Sequence, residues 1–365
     1  MYLEKLILTN FKNYDQQALA FSPGINCFAG RNGMGKTNLL DAIYYLCMTK
    51  SYFSLPDSSI IRHEAEFMRL EAYFNRLDRR EKVVAKVAPR KIKIFERNDI
   101  PYERLADHIG LLPVVFISPD DTELITEGSE ARRRFLDNTL SQLDPRYLAE
   151  LIQYNKILVQ RNALLKQMAD MPGQSGALLE VYDQQLLGPG QYLFQQRREF
   201  LNRFSGFFQS AYQYISNKAE EVGLSYQSHL LSGDFHTLLQ QNQAKDRALQ
   251  RTSAGIHRDD LECLIGGHPL KRFASQGQRK SFLLALKLAQ FEILRQNKGF
   301  PPILLLDDLF DKLDKHRVGQ LLHLLAFDTY GQVFLTDTQS ERIELITKNF
   351  TKEIRMFHVE HGSVE

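Results

Sequence analysis

The sequence predicts an α/β fold carrying a helical second lobe, and three features lead to that expectation. A glycine-rich loop sits between an apolar strand and a helix at residues 30–37, a short apolar strand at 303–306 ends in two carboxylates, and roughly a hundred residues at helical spacing lie between them. A chain of 365 residues with 43% hydrophobic content can bury one or two cores. Its 46 Lys and Arg against 44 Asp and Glu leave a formal charge of +2, so bulk charge identifies no partner and any nucleic-acid surface must be local. Cys27, Cys47 and Cys263 fit neither a disulfide framework nor a zinc spacing, and read as small buried residues of a reducing compartment. The N-terminus shows no basic stretch leading into an apolar core, and no apolar run reaches about 18 residues, so the expectation is a soluble, cytoplasmic protein with no membrane partner.

Short β patterns occupy Leu3–Thr9, Ala18–Phe21 and Ile25–Ala29, the last directly ahead of the glycine-rich turn. Arg69–Phe74, Lys82–Val87 and Lys91–Phe95 read as an antiparallel layer, and the apolar run Val114–Ile117 stops at Ser118-Pro119. Asp144-Pro145 then starts a long helix, with Tyr147, Leu151, Tyr154, Leu158, Leu165 and Met168 at helical spacing. A break over Met171–Gly176 leads to a second helical stretch reaching about Lys218, which Gly188-Pro189-Gly190 is expected to kink or interrupt because proline removes a donor and clashes with the preceding turn. The aromatics Phe200, Phe204, Phe207, Phe208 and Tyr212 in that stretch suit packing better than stacking on bases. The α/β pattern resumes after Gly255 with a strand at Leu261–Ile265, a helix at Gln278–Gln296, and strands at Ile303–Leu306 and Val333–Leu335. The chain accordingly divides into 1–130, a helical insertion at 131–250, and 251–365.

Gly30-Arg31-Asn32-Gly33-Met34-Gly35-Lys36-Thr37 matches the phosphate-loop pattern in full and in the right strand-turn-helix setting. Its glycines let backbone amides curl around phosphates, Lys36 neutralises their oxygens, and the Thr37 hydroxyl can coordinate magnesium, so ATP with Mg2+ is the expected cofactor pair. Ile303-Leu304-Leu305-Leu306-Asp307-Asp308 supplies the Walker B half: Asp307 would hold the magnesium and Asp308 would orient or deprotonate the attacking water. Lys36 and Asp308 are thus the catalytic candidates. Ser275-Gln276-Gly277-Gln278 precedes another helix and makes a second anion site that the phosphate loop does not need, which suggests that it presents to the γ-phosphate held by another copy.

Together these elements resemble the ABC-type ATPase heads, in which a phosphate loop, a signature of the Ser-Gly-Gly-Gln kind and a Walker B strand follow in that order. Asn10–Tyr14, the run 30–43, Ser118-Pro119-Asp120-Asp121, Arg132–Asp137, Ser141–Tyr147, His257-Arg258-Asp259-Asp260 and Ala274–Gln278 further resemble the RecF family of bacterial recombination proteins across nearly the whole chain. The resemblance implies an SMC-like P-loop ATPase head with a helical second lobe, an ATP-dependent homodimer, slow hydrolysis, and binding to double-stranded DNA near single-strand gaps. It also implies work with RecR and RecO in loading the recombinase RecA. It casts Lys12 as a basic residue near the nucleotide, Ser275 and Gly277 as the clamp on the partner's γ-phosphate, Leu313-Asp314 as the D-loop at the dimer seam, and Asp120 at the Q-loop position, where Ser-Pro-Asp-Asp could equally cap a helix. Two departures point to slow catalysis: Thr336-Asp337-Thr338 stands where transporters carry a switch histidine, and Asp308 is one methylene shorter than the usual glutamate.

Arg132, Arg133 and Arg134 are candidates for a DNA backbone, set against an ion-paired helix with Glu130 and Asp137. Arg79-Arg80-Lys82, Arg90-Lys91-Lys93 and Arg197-Arg198 are candidates of the same grade, and no base-reading motif occurs. Competing readings are a transporter ATPase subunit, which would carry a switch histidine and no such lobe, a chromosome-organising SMC head, which would need long heptad arms, and a small-molecule kinase, in which Ser275–Gln278 would have no task.

Overall fold

The computed structural model describes residues 1–89, 93–170, 176–217, 220–309, 315–325, 330–339 and 353–365. The expected D-loop at Leu313-Asp314, Arg90-Lys91 and most of the Met171–Gly176 break lie outside them. The chain forms two compact units, one of Met1–Asp121, Ala211–Lys218 and Gln276–Glu365, the other of Thr122–Ser210 and Ala219–Ser275. The borders therefore fall away from the expected 130/131 and 250/251. The strand Asp260–Ile265 pairs antiparallel with Val222–Gln227, and this ties the segment before Ser275 to the helical unit.

A six-stranded sheet forms the centre of the first unit, in the order Ser363–Val364, Ile354–Glu360, Ile25–Ala29, Val333–Asp337, Ile303–Leu306, Val114–Ile117. All pairs are parallel except the outermost one at the C-terminus. The four strands from Ile25–Ala29 to Val114–Ile117 are buried along their whole length, and they are apolar but for Asn26, Thr336 and Asp337, as suits a sheet covered on both faces. Ile354–Glu360 buries only alternate residues, Phe357 and Val359, and so escapes a search for apolar runs. An antiparallel sheet, Tyr14–Ala20, Tyr2–Phe11, Met68–Arg76, Arg79–Val87, Ile94–Arg97 and Ile100–Pro101, forms the second layer. The helix Lys36–Met48 is buried on nearly every side, and its Leu39, Ile43 and Leu46 join one core with Leu6 and Phe74 of the antiparallel sheet and Phe28 and Phe334 of the parallel one.

The second unit contains the helices Ser129–Leu143 and Pro145–Asp170, most of Ala177–Ser216, and a three-stranded antiparallel sheet. The expected interruption at Gly188-Pro189-Gly190 does not occur, since Ala177–Ser216 is one helix with Pro189 inside it. Packing overrides the local preference: a Cβ at Gly190 would lie 2.4 Å from the Phe235 ring, so this glycine admits the aromatic against the helix. Phe200, Phe204 and Phe208 are buried, with Phe204 edge-on to Phe135, and Tyr212 is buried against Phe282 within the first unit. Along Pro145–Asp170 the buried stripe of Tyr147, Tyr154, Ile157, Leu164 and Leu165 also contains Arg161. That guanidinium is held by Asp183 at 2.5 Å, Asp246 at 2.7 Å and the Thr252 hydroxyl at 2.8 Å. Among the described residues no helix is long and apolar enough to cross a membrane.

His108, fully buried in the first unit, shows how tightly the phosphate-loop helix is tied down. Its Nε2 donates to the Leu46 carbonyl at 2.7 Å, and its Nδ1 accepts from the Tyr102 hydroxyl at 3.2 Å. Burial lowers its pKa from 6.5 to about 4. The unfolded chain therefore takes up this proton first as pH falls, so stability present above pH 6.5 drains away toward pH 4, by at most on the order of 3 kcal/mol. Urea midpoints measured across that window should fall for the natural protein, and more shallowly for His108→Gln.

Candidate functional site

The phosphate loop is braced from behind by both neighbouring strands and side chains. The Gly30 amide donates to the Asp337 carbonyl at 3.2 Å, and a Cβ on Gly30 would lie 2.3 Å from the Val359 carbonyl oxygen, so only glycine passes there. Asn13 Nδ2 and the Gly362 amide both donate to the Met34 carbonyl, at 3.0 and 3.2 Å, and the Tyr14 hydroxyl donates to the Gly35 carbonyl at 3.1 Å. Gly33 and Gly35 have φ of 83° and 116°, the left-handed region that glycine enters at little cost. Gly35 caps the helix that opens at Lys36 without any side-chain bond, which leaves first-turn amides directed at a ligand. Arg31, Asn32 and Gly33 are exposed on the loop, while Lys36 is buried and folds its ammonium back onto the Gly30 and Arg31 carbonyls at 2.7 and 3.2 Å. The lysine is thus held inside the loop, at the point where phosphate oxygens would replace those carbonyls.

Across the sheet, the Thr37 hydroxyl lies 2.8 and 3.0 Å from the two carboxylate oxygens of Asp307. Burial is the main cause that pushes Asp307 up to about 6, against the hydrogen bonds from Thr37 and Thr336. A buried carboxylate beside a hydroxyl is a hard oxygen donor set that fits Mg2+, and a cation there would relieve the desolvation. Asp308 adopts φ 42°, and its amide donates to the Thr336 hydroxyl at 2.8 Å. Thr336 Oγ1 in turn is 2.9 Å from Asp307 Oδ1 and 3.2 Å from Asp308 Oδ1. Thr336, the first residue of the Thr336-Asp337-Thr338 run set against the transporters' switch histidine, orients both carboxylates. Sequence reasoning missed that role, because a lone threonine at a strand end carries no motif.

The remaining candidates separate. Lys12 pairs with the fully buried Asp41 at 2.7 Å, one turn along the helix from Thr37, so its charge is taken up by the phosphate-loop helix. The helix expected from Gln278 begins at Gln276, which places Gly277 and Gln278 in its first turn, with Ser275 exposed just ahead of it. Asp120 is exposed, and Ser118-Pro119-Asp120-Asp121 does form a cap: the Asp120 amide donates to Ser118 Oγ and the Ser118 amide to Asp121 Oδ2. In the second unit, Arg132 makes a two-pronged pair with Asp260 and also donates to the Leu124 and Glu127 carbonyls. Arg133 donates to the Asp259 carbonyl, and Arg134 is half-exposed beside Glu123. Arg132 and Arg133 thus each bond within the fold, and the carboxylate that Arg132 pairs with is Asp260 rather than the expected Glu130 or Asp137. Arg197 is likewise corrected: it is fully buried, bonded to Asp137, Asp259, the Tyr147 hydroxyl and the Ile256 carbonyl. Asp259 of the His257–Asp260 run is thus a buried anchor, and His257 is bonded to Tyr154.

The sequence matches the family described as RecF/RecN/SMC N terminal domain over residues 2–365. A protein of Flavobacterium johnsoniae named DNA replication and repair protein RecF is 48% identical, over 98% of this chain and all of that one. One of the same name from Phocaeicola vulgatus is 45% identical over all of this chain and 98% of that one. A solved structure described as the recombination mediator protein RecF-ATP in the RecFOR pathway superposes with a TM-score of 0.90 at 29% identity, covering 100% of this chain and 97% of the other. An Smc head domain from Pyrococcus furiosus, at TM-score 0.57 and 18% identity over 100% of this chain and 95% of that one, shares the fold.

Thr336→Val keeps the shape of the side chain and removes the hydroxyl that orders Asp307 and Asp308. Nucleotide affinity, followed with a fluorescent ATP analogue, should change little, while phosphate release should fall about 10- to 100-fold.

Proposed function

The chain belongs to the RecF/RecN/SMC N-terminal domain family, with RecF relatives at 45–48% identity over essentially their full length, and on that premise we propose that it is an ATP-dependent DNA-binding protein of recombinational repair and replication restart. Gly30–Thr37 cradles the triphosphate, Thr37 and Asp307 hold Mg2+, and Asp308 orients the water. The cation neutralises charge on the phosphates when bound. Two copies face each other, each presenting Ser275 and the helix start at Gln276–Gln278 to the γ-phosphate held by its partner. The joined pair binds duplex DNA near single-strand gaps in the cytoplasm, cooperates with RecR and RecO to help load RecA, and lets go upon slow hydrolysis.

The observation that carries this reading is the bond between Thr37 and Asp307, residues 270 positions apart, which brings the loop and the Walker B strand into one site. The relatives' name and the solved structure described with ATP support the repair role. Slow turnover is supported by Thr336-Asp337-Thr338 standing where transporters carry a switch histidine, since none of these side chains takes up and returns a proton near neutral pH as a histidine can.

Sedimentation of the purified protein with and without ATP, and with and without a gapped duplex, tests the proposal. The natural protein should shift to a dimer with ATP and bind the duplex, Lys36→Ala should do neither, and Asp308→Asn should bind ATP and remain dimeric on DNA. Ser275→Arg should lose dimerisation with monomer ATP affinity retained. A monomer at saturating ATP would overturn the proposal.

A further inference from the structure

A continuous run of buried and part-buried polar contacts inside the first unit leads from the phosphate-loop helix to the helix Gln276–Lys298. Asp41 lies one turn beyond Thr37, on the same face of the helix. Its Oδ2 meets the Lys12 ammonium at 2.7 Å and the Ser51 hydroxyl at 2.8 Å, and its Oδ1 accepts from the Tyr52 amide at 2.7 Å. The Tyr52 ring stacks on Phe116 with centroids 4.2 Å apart, and its hydroxyl donates to Asp121. Asp121 pairs at 2.6 Å with the Lys287 ammonium, which also reaches the Tyr52 hydroxyl at 3.0 Å and the Phe116 carbonyl at 2.9 Å. Both charged side chains are more than nine-tenths buried, at 6% and 7% exposure.

We propose that Tyr52 and Asp121 are positioning residues that carry the state of the phosphate loop to the start of the helix Gln276–Lys298. The inference rests on the ATP-dependent pairing proposed above, and specifies how one copy readies the surface it offers to the other. Lys287 sits three turns from Gln276, so the helix acts as a rod about 16 Å long between the polar run and its own first turn. An ammonium and a carboxylate buried this deeply cannot separate without leaving an uncompensated charge. A displacement of Tyr52 therefore takes the pair, and with it the helix, along. Packing alone does not ask for this arrangement, because an apolar side chain at 287 would fill the same space without bonding to three elements at once. Asp120 stays at the surface, and its neighbour Asp121 is the residue that turns inward to make the link.

The test uses the full chain with ATP and Mg2+, and compares the natural protein with Tyr52→Phe, Lys287→Met and the charge-keeping Lys287→Arg. Hydrogen exchange over residues 276–290 is read on adding nucleotide, at protein concentrations too low for pairing, beside ATP affinity and sedimentation. The natural protein should show ATP-dependent slowing of exchange there. Tyr52→Phe and Lys287→Met should lose that response and associate at least tenfold more weakly, with ATP affinity within about twofold, and Lys287→Arg should recover part of both. A merely structural role would not remove an ATP-dependent response while sparing ATP affinity. A response preserved in both Tyr52→Phe and Lys287→Met, or absent from the natural protein, overturns the inference. A natural protein that responds in exchange but stays monomeric at high concentration overturns the pairing and leaves the relay supported.

Discussion

The contact of Thr37 with Asp307 is the constraint around which the first unit is arranged. A carboxylate at the tip of a fully buried strand is costly unless donors meet it, and here two threonine hydroxyls do so, Thr37 from the start of the phosphate-loop helix and Thr336 from the neighbouring strand. For Thr37 to reach it, the loop must be held at a fixed height above the sheet, and Asn13, Tyr14 and Gly362 provide that hold from behind. Both ends of the chain thus serve the loop. The N-terminal hairpin and the C-terminal turn meet behind Met34, and the C-terminal strand leaves so little room at Gly30 that no side chain fits. The position of Lys36, on carbonyls of its own loop, follows from the same economy: a buried ammonium is held by the oxygens nearest to it.

The second unit uses charge in the opposite way, to specify a fold rather than to hold a ligand. Arg161 and Arg197 are both fully buried, and each gathers partners from three or more segments of the chain. Replacing such a cluster with apolar residues can leave stability unharmed, but removing one member strands the others. The arginines therefore act as registers, setting helices against one loop at 252–259 in a single arrangement. Arg132 extends this to Asp260. A count of basic residues along the sequence overstates the surface available to a polyanion for this reason.

The identity of the fold and that of the family rest on different grounds. Likeness to an Smc head at 18% identity establishes the architecture alone, whereas relatives at 45–48% identity over essentially full length place the chain among RecF proteins. Within the chain, the helix that follows the glycine-rich loop opens at Lys36, the strand Ile303–Leu306 runs into Asp307, and a further helix starts at Gln276.

The sequence by itself determined the phosphate loop, the Walker B strand and the α/β character, because each is a local pattern: glycines where the backbone must turn, an unbroken apolar run where a strand is buried on both faces, and a lysine and a threonine at the start of a helix. Ile25–Ala29, Val114–Ile117 and Ile303–Leu306 were legible to the residue on those grounds. Only the tertiary structure decided the rest. The Gly188-Pro189-Gly190 run lies inside one helix with Phe235 packed into the space of Gly190, the strand Ile354–Glu360 gains its identity from a partner more than 300 residues away, and Thr336 becomes a site residue only when its strand lies beside Asp307. The fate of each arginine belongs to the same class. Whether a guanidinium faces water or a buried aspartate depends on residues from 22 to nearly 130 positions distant, and no local pattern records such a pairing.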